Sequence, residues 1–415
     1  MSTREIIADV PRRLYYGWVV VGTLATTETI SWGILYYAFA AFLVPMQQEL
    51  GWSTAALTGA YSLALLVSGL GAVPVGRWVD RHGPRLLMTL GSTGGTLLLL
   101  AWARTDSLPA FYLLWLAMGS AMAATLYEPA FTVVATWFQR LRSRALLLLT
   151  FVAGFASTIF LPVATLLIER LGWRQALLVL AAVLATTTIP AHALILRRRP
   201  EDLGLQPDGD TRPEGVQASP GLPIEGVPLH QALREHAFWW LTAAFFLGTL
   251  SSVAVGVHLI PFLLADGYSP GFAAMATGLI GATQVAARVV VTMAGDRCPH
   301  VPLTAAVFAL QAAAVLILLG WRQPGGVLLA VVLLGAGRGA VTLMRATLVA
   351  ERYGRAHYGV IGGALALFVS GAAALAPVGA GVAYELVGRY GAVFAGLAAI
   401  SLLAALAMLG MLRWG

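Results

Sequence analysis

Seven polar side chains inside long apolar runs are candidates for chemistry: Glu28, Glu128, His258, Gln284, Arg288, Arg338 and Arg345. An ionised group at the centre of a membrane helix costs about 2.5–3.5 kcal/mol on insertion scales, so each calls for a partner or a task. Arg288 is the candidate anion site, because guanidinium grips a carboxylate through a bidentate fork. Gln284 lies one turn earlier on the same helical face and can donate to the same anion. Tyr127, beside Glu128 and Pro129, adds a phenolic donor, and His258 adds an imidazole. Arg288 precedes the Asp296 turn by eight residues. That places it about 12 Å from the turn, near mid-membrane.

Proton transfer needs a different group. The chain has no lysine, and all 26 of its basic residues are arginine, which does not release its proton. A carrier must then be a carboxylate or a histidine. Burial favours the protonated form of a carboxylate, and Glu28 lies near the middle of the first apolar run. Glu28 is the expected proton carrier, with His258 second. A permanent ion pair between Glu28 and Arg338 is the competing reading. Glu128 and Arg345 are expected to form a gate pair that breaks when the molecule changes state, a device suited to a two-state element. Three intramembrane arginines against two glutamates leave one positive charge for an anionic substrate.

The elements that must position these groups are transmembrane helices. Apolar residues make up 59% of the 415 and charged ones 11%, against about 25% charged in soluble chains. Twelve apolar runs, near 15–43, 54–75, 86–104, 110–137, 144–168, 174–196, 237–264, 270–293, 301–320, 324–349, 357–386 and 390–412, suit the roughly 20 residues a bilayer requires. The fold class is therefore an all-α polytopic membrane protein. The polar stretch 197–236, with six prolines, reads as a linker between halves 1–196 and 237–415. The polar first 13 residues do not read as a cleaved leader.

Arginines in alternate loops number 18 on the side of the termini and linker and 5 on the other, which predicts cytoplasmic termini in an inner (cell) membrane. The same bias explains the pI of about 9.8 without nucleic acid. A single cysteine, Cys298, excludes an internal disulfide and a cysteine-based metal site. No cofactor or metal is expected, nor any enzymatic triad at one membrane face. Gly335, Gly337 and Gly339 lie in an apolar helix and read as close-approach points rather than a nucleotide loop.

The charged turn Gly76–Arg85 has a reduced echo at Gly295–Pro299, with Asp80 and Asp296 separated by 216 residues. At the same offset Gly51-Trp52-Ser53 maps onto Gly267-Tyr268-Ser269, Glu169 onto Glu385, and Gly172 onto Gly388. Several coincidences in one register indicate an internal duplication, with a central site between two parallel repeats.

The stretch Gly76–Arg85 resembles the signature loop of the major facilitator superfamily, of form G-x-x-x-D-R-x-G-x-R, and the resemblance covers the whole chain. Within that superfamily the chain is similar to monocarboxylate and oxalate/formate porters. The pieces that carry this are Tyr16-Gly17-Trp18, Glu49–Ser53, Trp137-Phe138 with Arg142–Ala145, Arg199–Leu205, His258–Pro261, and the run from Arg288 to Asp296-Arg297. The resemblance implies twelve helices in two pseudo-symmetric bundles, alternating access, and an Arg288 that binds the substrate carboxylate. It also implies that Asp80, Arg81, Arg85, Asp296 and Arg297 form a conformational latch, with the Asp capping a helix of the other half. The lysine that mammalian-type carriers use in span 1, and the oxalate type in span 11, is missing here, which weakens a dicarboxylate reading. A Gly-Pro motif common among antiporters is also missing from span 5. The expected function is proton-coupled symport of a small organic anion, a monocarboxylate, by a monomer in the bilayer. Proton-driven efflux of amphipathic compounds and a non-transporting membrane sensor are the alternatives.

Overall fold

The computed structural model describes residues 15–209, 226–295 and 298–414. Eleven of its helices are long and apolar enough to cross a membrane. The helix Pro84–Trp102 packs lengthwise among them and completes twelve spans. Span 1 comprises Tyr16–Ser31, Trp32–Tyr37 and Phe39–Leu50. Span 2 is Thr54–His82 and span 3 Pro84–Trp102. Span 4 is Leu108–Thr125 with Tyr127–Trp137, span 5 Arg142–Ala153 with Ala156–Leu171, and span 6 Trp173–Leu194. Spans 7 to 12 are His236–Ala265, Pro270–Gly295, His300–Gly320, Pro324–Tyr353, Tyr358–Val387 and Tyr390–Gly410.

Three spans are interrupted, and the interruptions fall near the polar residues. Span 4 breaks at Leu126, which is extended. Pro129 cannot donate to the Thr125 carbonyl and its ring crowds that group, so the helix restarts with Tyr127, Glu128 and Pro129 in its first turn. Span 5 breaks at Gly154-Phe155. Span 1 widens into a π turn over Trp32–Tyr37, a form that recurs at functional sites.

The turns repeat with the predicted offset. Gly51 and Gly267 both have positive φ, as do Gly172 and Gly388, a backbone that glycine adopts without steric cost. Ser53 accepts from the Ala56 N–H and Ser269 from the Phe272 N–H, so the same helix start recurs in both halves.

Buried apolar side chains fall in three clusters. One joins both sides of the linker, uniting Val20, Phe131 and Leu146 with Phe238, Met344 and Ile361. It also contains Leu196, Ala232 and Tyr353, so it lies at the linker end of the bundle. The second, with Phe42, Trp102, Trp115 and Leu180, draws only on spans 1–6. The third, with Phe262, Leu318, Val331 and Phe394, draws only on spans 7–12. The two sets of six helices are thus welded at the linker end and have separate cores at the other. Ion pairs at that far end also stay within one set: Arg174 with Glu49 and Asp106, and Arg322 with Asp266.

Candidate functional site

Between the two separate cores lies a cavity of about 580 Å³. Span 1 supplies Trp32, Tyr36 and Tyr37, and span 4 supplies Tyr127 and Glu128. Span 8 supplies Gln284 and Arg288, span 9 Gln311, and span 10 Arg338 and Arg345. Gly281, Gln284, Val285 and Arg288 follow the i, i+3, i+4, i+7 pattern of one helical face, as do Arg338, Val341, Thr342 and Arg345. Glycines bring spans 8, 9 and 10 close enough to form one wall. A Cβ on Gly335 would meet Thr283, one on Gly337 the Gln311 side chain, and one on Gly339 the Gln284 carbonyl.

Arg288 is 6% exposed and reaches out of span 8 to donate to the Thr150 carbonyl of span 5. Gly154 makes room for it, since a Cβ there would lie 3.0 Å from the guanidinium. The Tyr127 hydroxyl faces the same guanidinium, while its ring stacks on Phe131 and leans on Trp32, each at 4.9 Å between centroids. Gln284 stands on the wall one turn from Arg288. Arg288, Gln284 and Tyr127 are therefore brought together.

Glu128 and Arg345 meet at 2.6 Å across the two sets of helices, at the edge of the shared core. Their side chains are 26% and 14% exposed, so the pair is sheltered without being sealed. It forms part of the cavity floor.

Glu28 is fully buried but does not line the cavity. The Trp32 indole lies beside it without an aligned hydrogen bond. Its carboxylate forms no ion pair among the described residues, so the competing reading of a bond to Arg338 is not realised. Arg338, expected in an ion pair, instead projects over Gly256 of span 7 toward Tyr36 and Tyr37. His258 is placed elsewhere: its Nε2 bonds to the Pro377 carbonyl at 3.0 Å and its ring leans on Tyr390, outside the cavity lining.

The end of span 2 meets the start of span 11. Asp80 accepts from the Gly359 and Val360 N–H groups, both at 2.9 Å. These are orphan donors at the start of span 11, whose own N-cap, His357, supplies no side-chain bond. The backbones must come very close for this. A Cβ on Gly76 would collide with the Gly359 carbonyl, and one on Gly363 with the Ala72 carbonyl. Arg81 and Arg85 are exposed, and among the described residues neither side chain has a bonded partner, so Asp80 alone of the three makes the contact with span 11. Asp296 and Arg297 lie outside the described residues. Further along the same face, Arg355 pairs with Glu201 of the linker at 2.7 Å. Asp208 caps the start of span 5 by accepting from Gln139, Arg140 and Leu141 at 2.8–3.1 Å.

A family model described as Major Facilitator Superfamily matches residues 27–377. The chain belongs to the major facilitator superfamily. Among curated relatives it is 28% identical to monocarboxylate transporter 13 of Bos taurus over 286 residues, 68% of this chain and 62% of that protein. It is 22% identical to the oxalate:formate antiporter of Oxalobacter formigenes over 238 residues, 57% and 53% of the two chains. The chain thus spans about three fifths of the first relative's length. The superfamily transporter FucP, solved in the outward conformation, superposes with a TM-score of 0.72 at 14% identity, covering 96% of this chain and 99% of that one. This superfamily member is a multi-pass membrane protein of helices, and its relatives are transporters rather than enzymes.

Two features of this superfamily chain escaped the sequence reading. Gln311 belongs to no motif and has no ionisable neighbour in sequence; a lone carboxamide inside the apolar run 301–320 is the available signal. The π turn in span 1 has no local sequence signature; in the structure its Trp32 packs against Tyr127 of span 4 and its Tyr36 against Trp32 and Tyr61 of span 2.

Proposed function

We propose that this chain is a secondary active transporter of small organic anions, working by alternating access. The observation that carries the reading is Arg288, a nearly buried guanidinium on the wall of a cavity between two six-helix halves, with Tyr127 and Gln284 beside it. Halves 1–196 and 237–415 move as units about the linker 197–236, and both termini face the cytoplasm of a cell inner membrane. A carboxylate entering the cavity competes with the Thr150 carbonyl for the Arg288 guanidinium, which a carboxylate can grip through two parallel bonds. Drawing Arg288 off span 5 frees the two halves to shift. Substrate binding and the change of access are coupled at that one side chain.

Glu28 carries the coupled proton in this reading. An ionised carboxylate enclosed in apolar surroundings bears a desolvation cost that protonation removes. The names of the relatives, monocarboxylate transporter and oxalate:formate antiporter, support the carboxylate class. The test is uptake of labelled small carboxylates into proteoliposomes under an imposed pH gradient, with thermal-shift binding alongside. Arg288→Ala should lose carboxylate-induced stabilisation and at least about 100-fold of uptake, from two charge-assisted bonds. Carboxylate binding undiminished in Arg288→Ala would remove the reading. Uptake independent of the pH gradient would remove the proton.

A further inference from the structure

Arg338 has no task in the reading above. Spans 8 and 10 run parallel, and Gly339 abuts the Gln284 carbonyl. Arg338 is therefore level with Gln284, about one helical turn or 6 Å further from the cavity floor than Arg288. Arg345, two turns below Arg338 on the same face, is committed to Glu128. No carboxylate of the described chain pairs with Arg338: Glu128 is held by Arg345, and Glu28 is sealed outside the cavity. On the same cavity lining, against Gly337, Gln311 is 1% exposed, and neither its Nε2 nor its Oε1 has a hydrogen-bond partner among the described residues. Ser252 on span 7 lines the same wall with its hydroxyl equally unpartnered. A buried amide, a hydroxyl and a guanidinium left facing one space are costly unless an acceptor joins them there.

We infer that Arg338, Gln311 and Ser252 form a second anion subsite, one turn away from Arg288, and that the substrate is a short dicarboxylate. One carboxylate lies on Arg288 and Tyr127, the other on Arg338 and Gln311. A chain of about four or five carbons bridges a gap of one helical turn. The second cation that span 11 lacks is supplied from span 10. With the floor pair neutral, Arg288 and Arg338 both present guanidinium groups to the cavity wall, which suits a dianion. This rests on Arg288 binding a carboxylate.

The experiment measures binding to the full-length protein by thermal shift and calorimetry, comparing butyrate with succinate and glutarate. Wild type should bind the dicarboxylates at least about 10-fold more tightly than butyrate, the worth of one added charge-assisted contact. Arg338→Gln should lose about 30-fold for dicarboxylates and leave butyrate unchanged within about 2-fold, whereas Arg288→Gln should lose both classes. Arg338→Lys, which keeps the charge, should keep part of the preference and serves as the folded control. Gln311→Leu should weaken the dicarboxylates selectively. If wild type prefers butyrate, or if Arg338→Gln and Arg338→Lys weaken both classes equally, the second subsite falls while the Arg288 reading stands. If wild type binds neither class, both fall.

Discussion

Asp80 offers the sharpest single perturbation. Its two oxygens accept the Gly359 and Val360 N–H groups at 2.9 Å and so hold the start of span 11 against the end of span 2. Asp80→Asn preserves shape but turns one acceptor into a donor that faces an N–H, and it removes the charge. A hydrogen bond to a charged group contributes about 1.5–3 kcal/mol, and a carboxylate at a helix N-terminus a further 0.3–1 kcal/mol or so. Asp80 is only partly enclosed, so solvent trims both, and a loss of about 2 kcal/mol is the working figure. That shifts the balance between linker-side-closed and linker-side-open forms by about 30-fold, at 1.4 kcal/mol for each factor of ten. The exposed native thiol Cys298 and a second label at Arg85→Cys report the separation of the two halves at that face. Pulsed electron-spin distance measurement should show one short distance in the parent and a large added population of longer distances in Asp80→Asn. Turnover should fall more than substrate affinity. An unchanged distance distribution, or lost affinity at unchanged turnover, would refute the latch.

Three other outcomes follow from the geometry. Glu28→Gln should abolish accumulation driven by a pH gradient while leaving counterflow exchange within about 3-fold; retained accumulation across external pH 5–8 would remove Glu28 as the carrier. Glu128→Ala and Arg345→Ala should each slow transport about 10- to 100-fold, with the double variant no worse than the poorer single, a coupling of about 1.5–3 kcal/mol; strict additivity would sink the gate. Gly76→Val should drive a side chain into the Gly359 carbonyl, a clash costing about 1–3 kcal/mol or more in the linker-side-closed state alone. Flux should drop at least about 10-fold with helical circular dichroism unchanged, and wild-type flux would show that spans 2 and 11 do not meet.

Much was legible in order along the chain. Span positions, the echo at 216 residues and the class of protein all follow from where apolar runs stop and where turn residues recur. Those signals are local, because a lipid-facing helix is recognised by composition and length alone. The pair Glu128–Arg345 was also legible, because an internal repeat converts sequence offset into spatial symmetry.

The division of labour among the buried charges was not legible. Glu28 and Arg338 stand at similar depths in their spans, yet one is sealed behind Trp32 and the other opens onto the cavity. His258 and Gln311 are both polar residues in the middle of apolar helices, yet of the two only the carboxamide lines the cavity. Rotation of each helix about its own axis decides such matters, and that rotation is set by glycines such as Gly339 and Gly76 meeting another helix's backbone. The sequence alone determined that polar groups must lie inside the membrane and that two halves repeat. Only tertiary packing decided which of those groups share one cavity, because contact between spans is a property of the bundle and not of any one helix.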